Sequence, residues 1–148
     1  MQLIIAGSPT FTDSQHLCQV LAPDRHRLTQ VLTGGARGAE QLGYRWAWKH
    51  LVKHQLVRAE WARFGKTAGV RRHHQLAQAG DVLLVFGDGQ APGTAHLMPC
   101  MQALGKPVVV VPMDATASTQ RSWARASSSR PEPGAPRRLH AHVGARRP

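Results

Sequence analysis

The chain predicts an α/β domain built on a five-stranded parallel sheet, doubly wound, with helices on both faces. Three observations carry that expectation. Five short apolar runs recur: Leu3-Ile4-Ile5-Ala6, Val31-Leu32, Leu56-Val57, Val82-Leu83-Leu84-Val85-Phe86 and Val108-Val109-Val110-Val111. Helical periodicity fills the stretches between them, so strand and helix alternate over residues 1–112, as in a parallel sheet covered by helices. Loops rich in Gly, hydroxyls and cations follow the first four runs, and the loops at strand carboxyl ends are where open α/β sheets bind ligands.

The elements follow in order. The first run is ended by Gly7-Ser8-Pro9, and Thr12 or Asp13 can cap a helix whose inward positions are Leu17, Val20 and Leu21. Val31-Leu32 is the second strand, and Thr33-Gly34-Gly35-Ala36-Arg37-Gly38-Ala39-Glu40 turns from it into a helix carrying Leu42, Trp46 and Leu51. Trp46 and Trp48 stand about 200° apart on that helix, so only one of them packs inward. Leu56-Val57 is the third strand, and the segment from Glu60 to His74, with Gly65-Lys66-Thr67-Ala68-Gly69 inside it, leads into the next helix. Val82–Phe86 and Val108–Val111 are the fourth and fifth strands. Both are apolar at every position rather than at alternate ones, which places them in the middle of the sheet, buried on both faces. The expected strand order is 3-2-1-4-5.

From Met113 onward Ala, Ser, Arg and Pro dominate, with Ser127-Ser128-Ser129 and prolines at 131, 133 and 136. Such a segment buries too little apolar surface to offset the entropy of ordering it, so 113–148 is expected to be a disordered tail in which Trp123 alone docks on the domain. The formal net charge of +11 divides into 12 Lys/Arg against 6 Asp/Glu in 1–112 and 7 against 2 in 113–148. Charge is thus densest in the tail, where it would attract polyanions without sequence specificity. No apolar stretch approaches the roughly 18 to 20 residues of a membrane span, and the first six residues are too short and uncharged for a signal peptide, so a cytoplasmic protein with no membrane partner is expected. Cys18 and Cys100 lack C-x-x-C or His-rich spacing, which reads as small buried hydrophobes in a reduced compartment rather than as a disulfide or metal site. No cofactor or metal is expected.

The turn Gly34 to Gly38 reads as a phosphate site. Its glycines allow close backbone approach, and the helix beyond it offers unpaired amides and the positive end of its dipole. A plain strand-to-helix connector is the rival reading. Arg37 is a phosphate ligand or a solvated charge; a cation is unfavourable at that end of a helix, which favours the ligand. Lys66 and Arg72 either bind or confer solubility. His73 and His74 are adjacent and cannot share a helix face, which argues against a metal site. His96, beside Gly93-Thr94 at a helix start, can hydrogen-bond a ribose or phosphate or lie idle on the surface. Trp61 stacks on a base or lies as a lid over the core. Ser8 has no G-x-S-x-G context, so it is no nucleophile; with Gly7 it joins the candidate binding residues.

These loops together resemble the YspA-type members of the SLOG superfamily, a Rossmann-like group that includes the LOG phosphoribohydrolases and DprA-related proteins. The resemblance spans residues 1–112. It rests on Gly7 with Phe11-Thr12-Asp13, on Gly34-Gly35-Ala36-Arg37-Gly38-Ala39, on Trp61 with Gly65-Lys66-Thr67-Ala68-Gly69 and Arg72, and on Gly93-Thr94-Ala95 before Leu97-Met98. It implies a nucleotide-derived ligand over the strand ends, with Gly34, Gly35, Arg37, Gly38, Gly93 and Thr94 cradling phosphate or ribose. The departures matter as well. Pro9-Thr10 stands where the family usually shows Arg-Asp, His73 where an Asn follows the Arg, and His96 where the YspA group often carries Asp. Leu97 occupies the position of the Glu that works on the glycosidic bond in the LOG enzymes.

The expected function is therefore binding of a nucleotide or nucleotide-like signalling ligand without catalysis. Two alternatives stand beside it: a phosphoribohydrolase acting on a nucleoside monophosphate, for which Asp88 and Glu60 are the nearest carboxylates, and weak nonspecific nucleic-acid binding through the tail. Self-association into a homo-oligomer is left open.

Overall fold

Residues 1–113 are described by the computed structural model; the expected disordered tail, its Trp123 and its nucleic-acid role lie outside them. Strands β1 (Gln2–Gly7), β2 (Gln30–Thr33), β3 (Lys53–Leu56), β4 (Val82–Phe86) and β5 (Val108–Val111) form one sheet in the order β3-β2-β1-β4-β5, every pair parallel. This is the expected order. Helices α1 (Ser14–Leu21), α2 (Ala39–Lys49), α3 (Trp61–Phe64), α4 (Ala68–Ala79) and α5 (Pro92–Ala103) connect the strands, with short 3-10 turns after α1 and before α4.

Strand alternation sorts the core into two layers. Leu3 and Ile5 of β1, with Leu84 and Phe86 of β4, pack against Leu17 and Leu21 of α1 and Trp46 of α2. Ile4 and Ala6, with Leu83 and Val85, face the other way onto Leu76 of α4 and Leu97 and Met101 of α5. Successive strand side chains point to opposite faces, so a continuous apolar run is what a strand covered on both faces requires. On α2 the spacing of the two tryptophans has its expected result: Trp46 is buried and Trp48 is 74% exposed. Of the two candidate caps for α1, Asp13 is the one used, its Oδ1 accepting from the His16 amide at 2.9 Å.

Two expectations are corrected. β5 is an edge strand rather than a central one, and of its four valines only Val111 is buried. Four consecutive valines therefore do not establish burial on both faces, since Val108 and Val109 are half-buried and Val110 is exposed; a path that starts at a central strand and winds outward leaves its last strand at the rim. β3 begins at Lys53, before the apolar pair Leu56-Val57, because the opposite edge strand is largely exposed and its Lys53-His54-Gln55 carry no apolar signal.

Lys106 holds the far end of α4. Its Nζ donates to the carbonyl oxygens of Ala77 at 2.6 Å, Gln78 at 2.9 Å and Gly80 at 2.7 Å. A helix C-terminus leaves such carbonyls unpaired and carries the negative end of the dipole, so one ammonium satisfies both needs. Among the described residues no helix is long and apolar enough to cross a membrane.

Candidate functional site

Over the carboxyl ends of the strands, the loops after β1, β2 and β4 meet the first half of α4 around a cleft of about 240 Å³. Gly7, Gly34, Arg37, Arg72, Gly93 and Thr94, all singled out in the sequence, line it. Each wall has a distinct chemistry.

One wall is the start of α5. Ala91 precedes the helix with no side-chain cap, Pro92 has no N–H, and the Gly93 and Thr94 amides meet no acceptor among the described residues. Such amides, with the dipole behind them, suit an anion. The arginines form a second wall. Arg72 Nη1 donates to the Gly34 carbonyl at 3.1 Å, while its Nε is buried without a partner among the described residues. Arg37 is exposed and forms no ion pair among the described residues.

The third wall is the glycine turn, and it departs from expectation. Its amides are not free for a ligand: Glu40, in the first turn of α2, reaches back so that its Oε2 accepts from the Gly34 amide at 3.0 Å and the Ala36 amide at 2.8 Å. Glu40 itself lines the cleft. The two carboxylates nominated from the sequence do not: Asp88 accepts from the Gln90 amide, and Glu60 faces Arg63 on the surface.

Several nominated residues sit elsewhere. Gly38 (φ +80) is the crossing point of two turns, where an added Cβ would collide with the Ser8 carbonyl and the Pro9 backbone. Ser8 serves the same crossing, its carbonyl accepting from the Phe11 and Ala39 amides and its Oγ paired with Thr10 Oγ1 at 2.8 Å. Gly35 (φ +84) turns its Cβ direction onto Leu56, 2.8 Å from Cδ1, rather than into the cleft. Gly38 is thus required where two loops cross, and Gly35 where the turn packs on Leu56 of β3. Lys66 is exposed in the 3-10 turn before α4. Trp61 opens α3, is 59% exposed and lies over Gly69, so it neither lines the cleft nor lids the core.

His96 is exposed and outside the cleft lining, but it reaches it through a partner the sequence did not pair with it. His73 Nδ1 lies 2.8 Å from His96 Nδ1, and buried His73 lines the cleft beside Gly93. Burial pushes the His73 pKa down to about 4, and the charges of Arg72, His96 and His74 push the same way. At neutral pH this imidazole is uncharged, able to give or take one hydrogen bond. Leu97 is buried and presents an apolar surface to the cleft.

The chain is 38% identical over 117 residues to the Gene 61 protein of Mycobacterium phage D29, an alignment covering 73% of this chain and 94% of that protein. The X-ray structure of TM1055 shares the fold at a TM-score of 0.54 and 18% identity, over 72% of this chain and 71% of that one. Residues 1–64, which include β1, the glycine turn and Glu40, match the family described as YAcAr, and by these matches the chain belongs to the YspA, cpYpsA-related SLOG family.

Proposed function

We propose that the cleft binds a nucleotide or nucleotide-derived ligand by its phosphorylated sugar and does not act on it. The observation that carries this reading is the meeting of Arg37, Arg72 and the uncapped start of α5 in one cleft, three anion-seeking features from separate parts of the chain. A volume of about 240 Å³ falls below the roughly 300–1,000 Å³ of sites that enclose drug-sized ligands, which suits a sugar phosphate with its base at the rim. Calorimetric titration with AMP and ribose 5-phosphate tests it. Arg37→Ala should weaken both by about ten- to one-hundred-fold, the range of a charge-assisted contact to phosphate, while the melting temperature stays put because Arg37 is exposed. Unchanged affinity would take Arg37 out of the site.

A second reading is hydrolysis of the N-glycosidic bond, and Glu40 is the observation that favours it, because it supplies a carboxylate to the cleft after all. Against it stand the apolar Leu97 and the commitment of one Glu40 oxygen to two turn amides. The purified protein should release no free base from AMP or IMP, as followed by chromatography. Steady ribose 5-phosphate production that disappears in Gly93→Val would establish the enzyme instead.

A further inference from the structure

Resting on the nucleotide reading above, we infer that Glu40 is the sugar-reading residue of this cleft and selects ligands that carry a vicinal ribose diol. The carboxylate is divided between two tasks. Oε2 is saturated by the Gly34 and Ala36 amides, which fixes the group in the cleft wall. Oε1 accepts no hydrogen bond among the described residues, and no ion pair joins Glu40 to Arg37 or Arg72 although all three line the same cleft. An oriented carboxylate oxygen with open lone pairs calls for a donor.

The same arrangement decides what lies opposite. A phosphate placed on the Gly34 turn would displace Glu40 from its two amides or sit against its negative charge, and like charges at close range repel. The phosphate therefore goes to the α5 amides and the arginines, and Glu40 meets the uncharged, donor-bearing part of the ligand. In a sugar phosphate that part is the pair of adjacent hydroxyls, which together can donate two hydrogen bonds to a carboxylate. The glycine turn thus serves the sugar through Glu40 and leaves the phosphate to α5. The guanine edge also presents two adjacent donors, and it is the occupant the experiment must separate from a diol.

The experiment is calorimetric titration of the full chain with AMP, 2′-deoxy-AMP, 2′-O-methyl-AMP and GMP, repeated with Glu40→Gln. Glutamine keeps a carbonyl oxygen for the two turn amides and replaces the open carboxylate oxygen by a donor. Wild type should favour AMP over its 2′-deoxy and 2′-O-methyl forms by about ten- to one-hundred-fold, as expected when a hydrogen bond to a charged group is lost. In Glu40→Gln that preference should shrink towards unity, with 2′-deoxy-AMP bound about as in wild type. Equal wild-type affinity for AMP and 2′-deoxy-AMP, or a preference that survives Glu40→Gln, overturns the assignment, and a preference that follows guanine rather than the 2′-hydroxyl gives Glu40 to the base. The wild-type ligand series decides the matter even if Glu40→Gln fails to fold. No binding of any of these ligands, or of ribose 5-phosphate, defeats the nucleotide reading itself, an outcome distinct from binding without sugar preference.

Discussion

Gly38→Val is expected to abolish the folded state. Gly38 adopts φ +80, a conformation from which a β-branched residue is excluded, and its Cβ direction runs into the Ser8 carbonyl and the Pro9 backbone. Neither obstacle can swing aside as a side chain would. The loop after β1 and the turn after β2 must separate, which breaks the bond from the Ala39 amide to the Ser8 carbonyl and uncovers the start of α2. Backbone strain of about 1–3 kcal/mol adds to that loss, and a total above ~4 kcal/mol consumes much of the 5–15 kcal/mol that stabilises an ordinary domain. Circular dichroism melting of the purified or refolded protein reads it directly. A cooperative transition within a few degrees of wild type would mean that the two turns are not held together at Gly38.

Acid should destabilise the protein, and His73 should account for much of the effect. Its pKa is about 4 in the folded chain against 6.5 when exposed. Between those values the unfolded chain binds the proton that the folded one refuses, so stability is complete above pH 6.5 and falls as pH drops towards 4. At 1.36 kcal/mol per pKa unit, the loss from pH 7 to pH 4.5 is about 2–3 kcal/mol. Arg72, His74 and His96 are the charged and titratable neighbours that oppose the proton. Urea unfolding of wild type and His73→Gln at pH 7 and pH 4.5 separates this group from the rest of the acid response. The variant should lose less stability across the interval; identical losses would show that His73 is not the group responsible.

The architecture was legible because burial on two faces leaves its mark on every strand residue, as in Leu3–Ala6 and Val82–Phe86, and because glycine and proline punctuate the turns. Val108–Val111 misled because four consecutive valines look like a strand covered on both faces, yet only Val111 is buried and the strand lies at the rim of the sheet. At the cleft, the sequence displayed residue types but not directions. Gly34 and Gly35 look alike in the chain, yet the Cβ direction of one meets Glu40 and Arg72 while that of the other meets Leu56. Glu40 gave no distinguishing signal, because an acid in the first turn of a helix is common for dipole reasons alone. The pairing of His73 with His96 links two helices and 23 positions of sequence, a relation that only the packing of α4 against α5 creates.

Lys106 has a mechanical consequence for the cleft. Arg72 and His73 ride on α4, and the end of that helix is bolted by one ammonium to the segment that enters β5. The carboxyl end of the helix is thereby pinned at Gly80 to a different crossover from the one that α4 itself closes. The other end is tied as well: Arg72 donates to the Gly34 carbonyl and His73 meets His96, while Ala68 at the start of the helix is buried. Because Arg72 and His73 lie in the first half of α4, one helix joins the glycine turn and α5 at the cleft to the chain entering β5 at its far end.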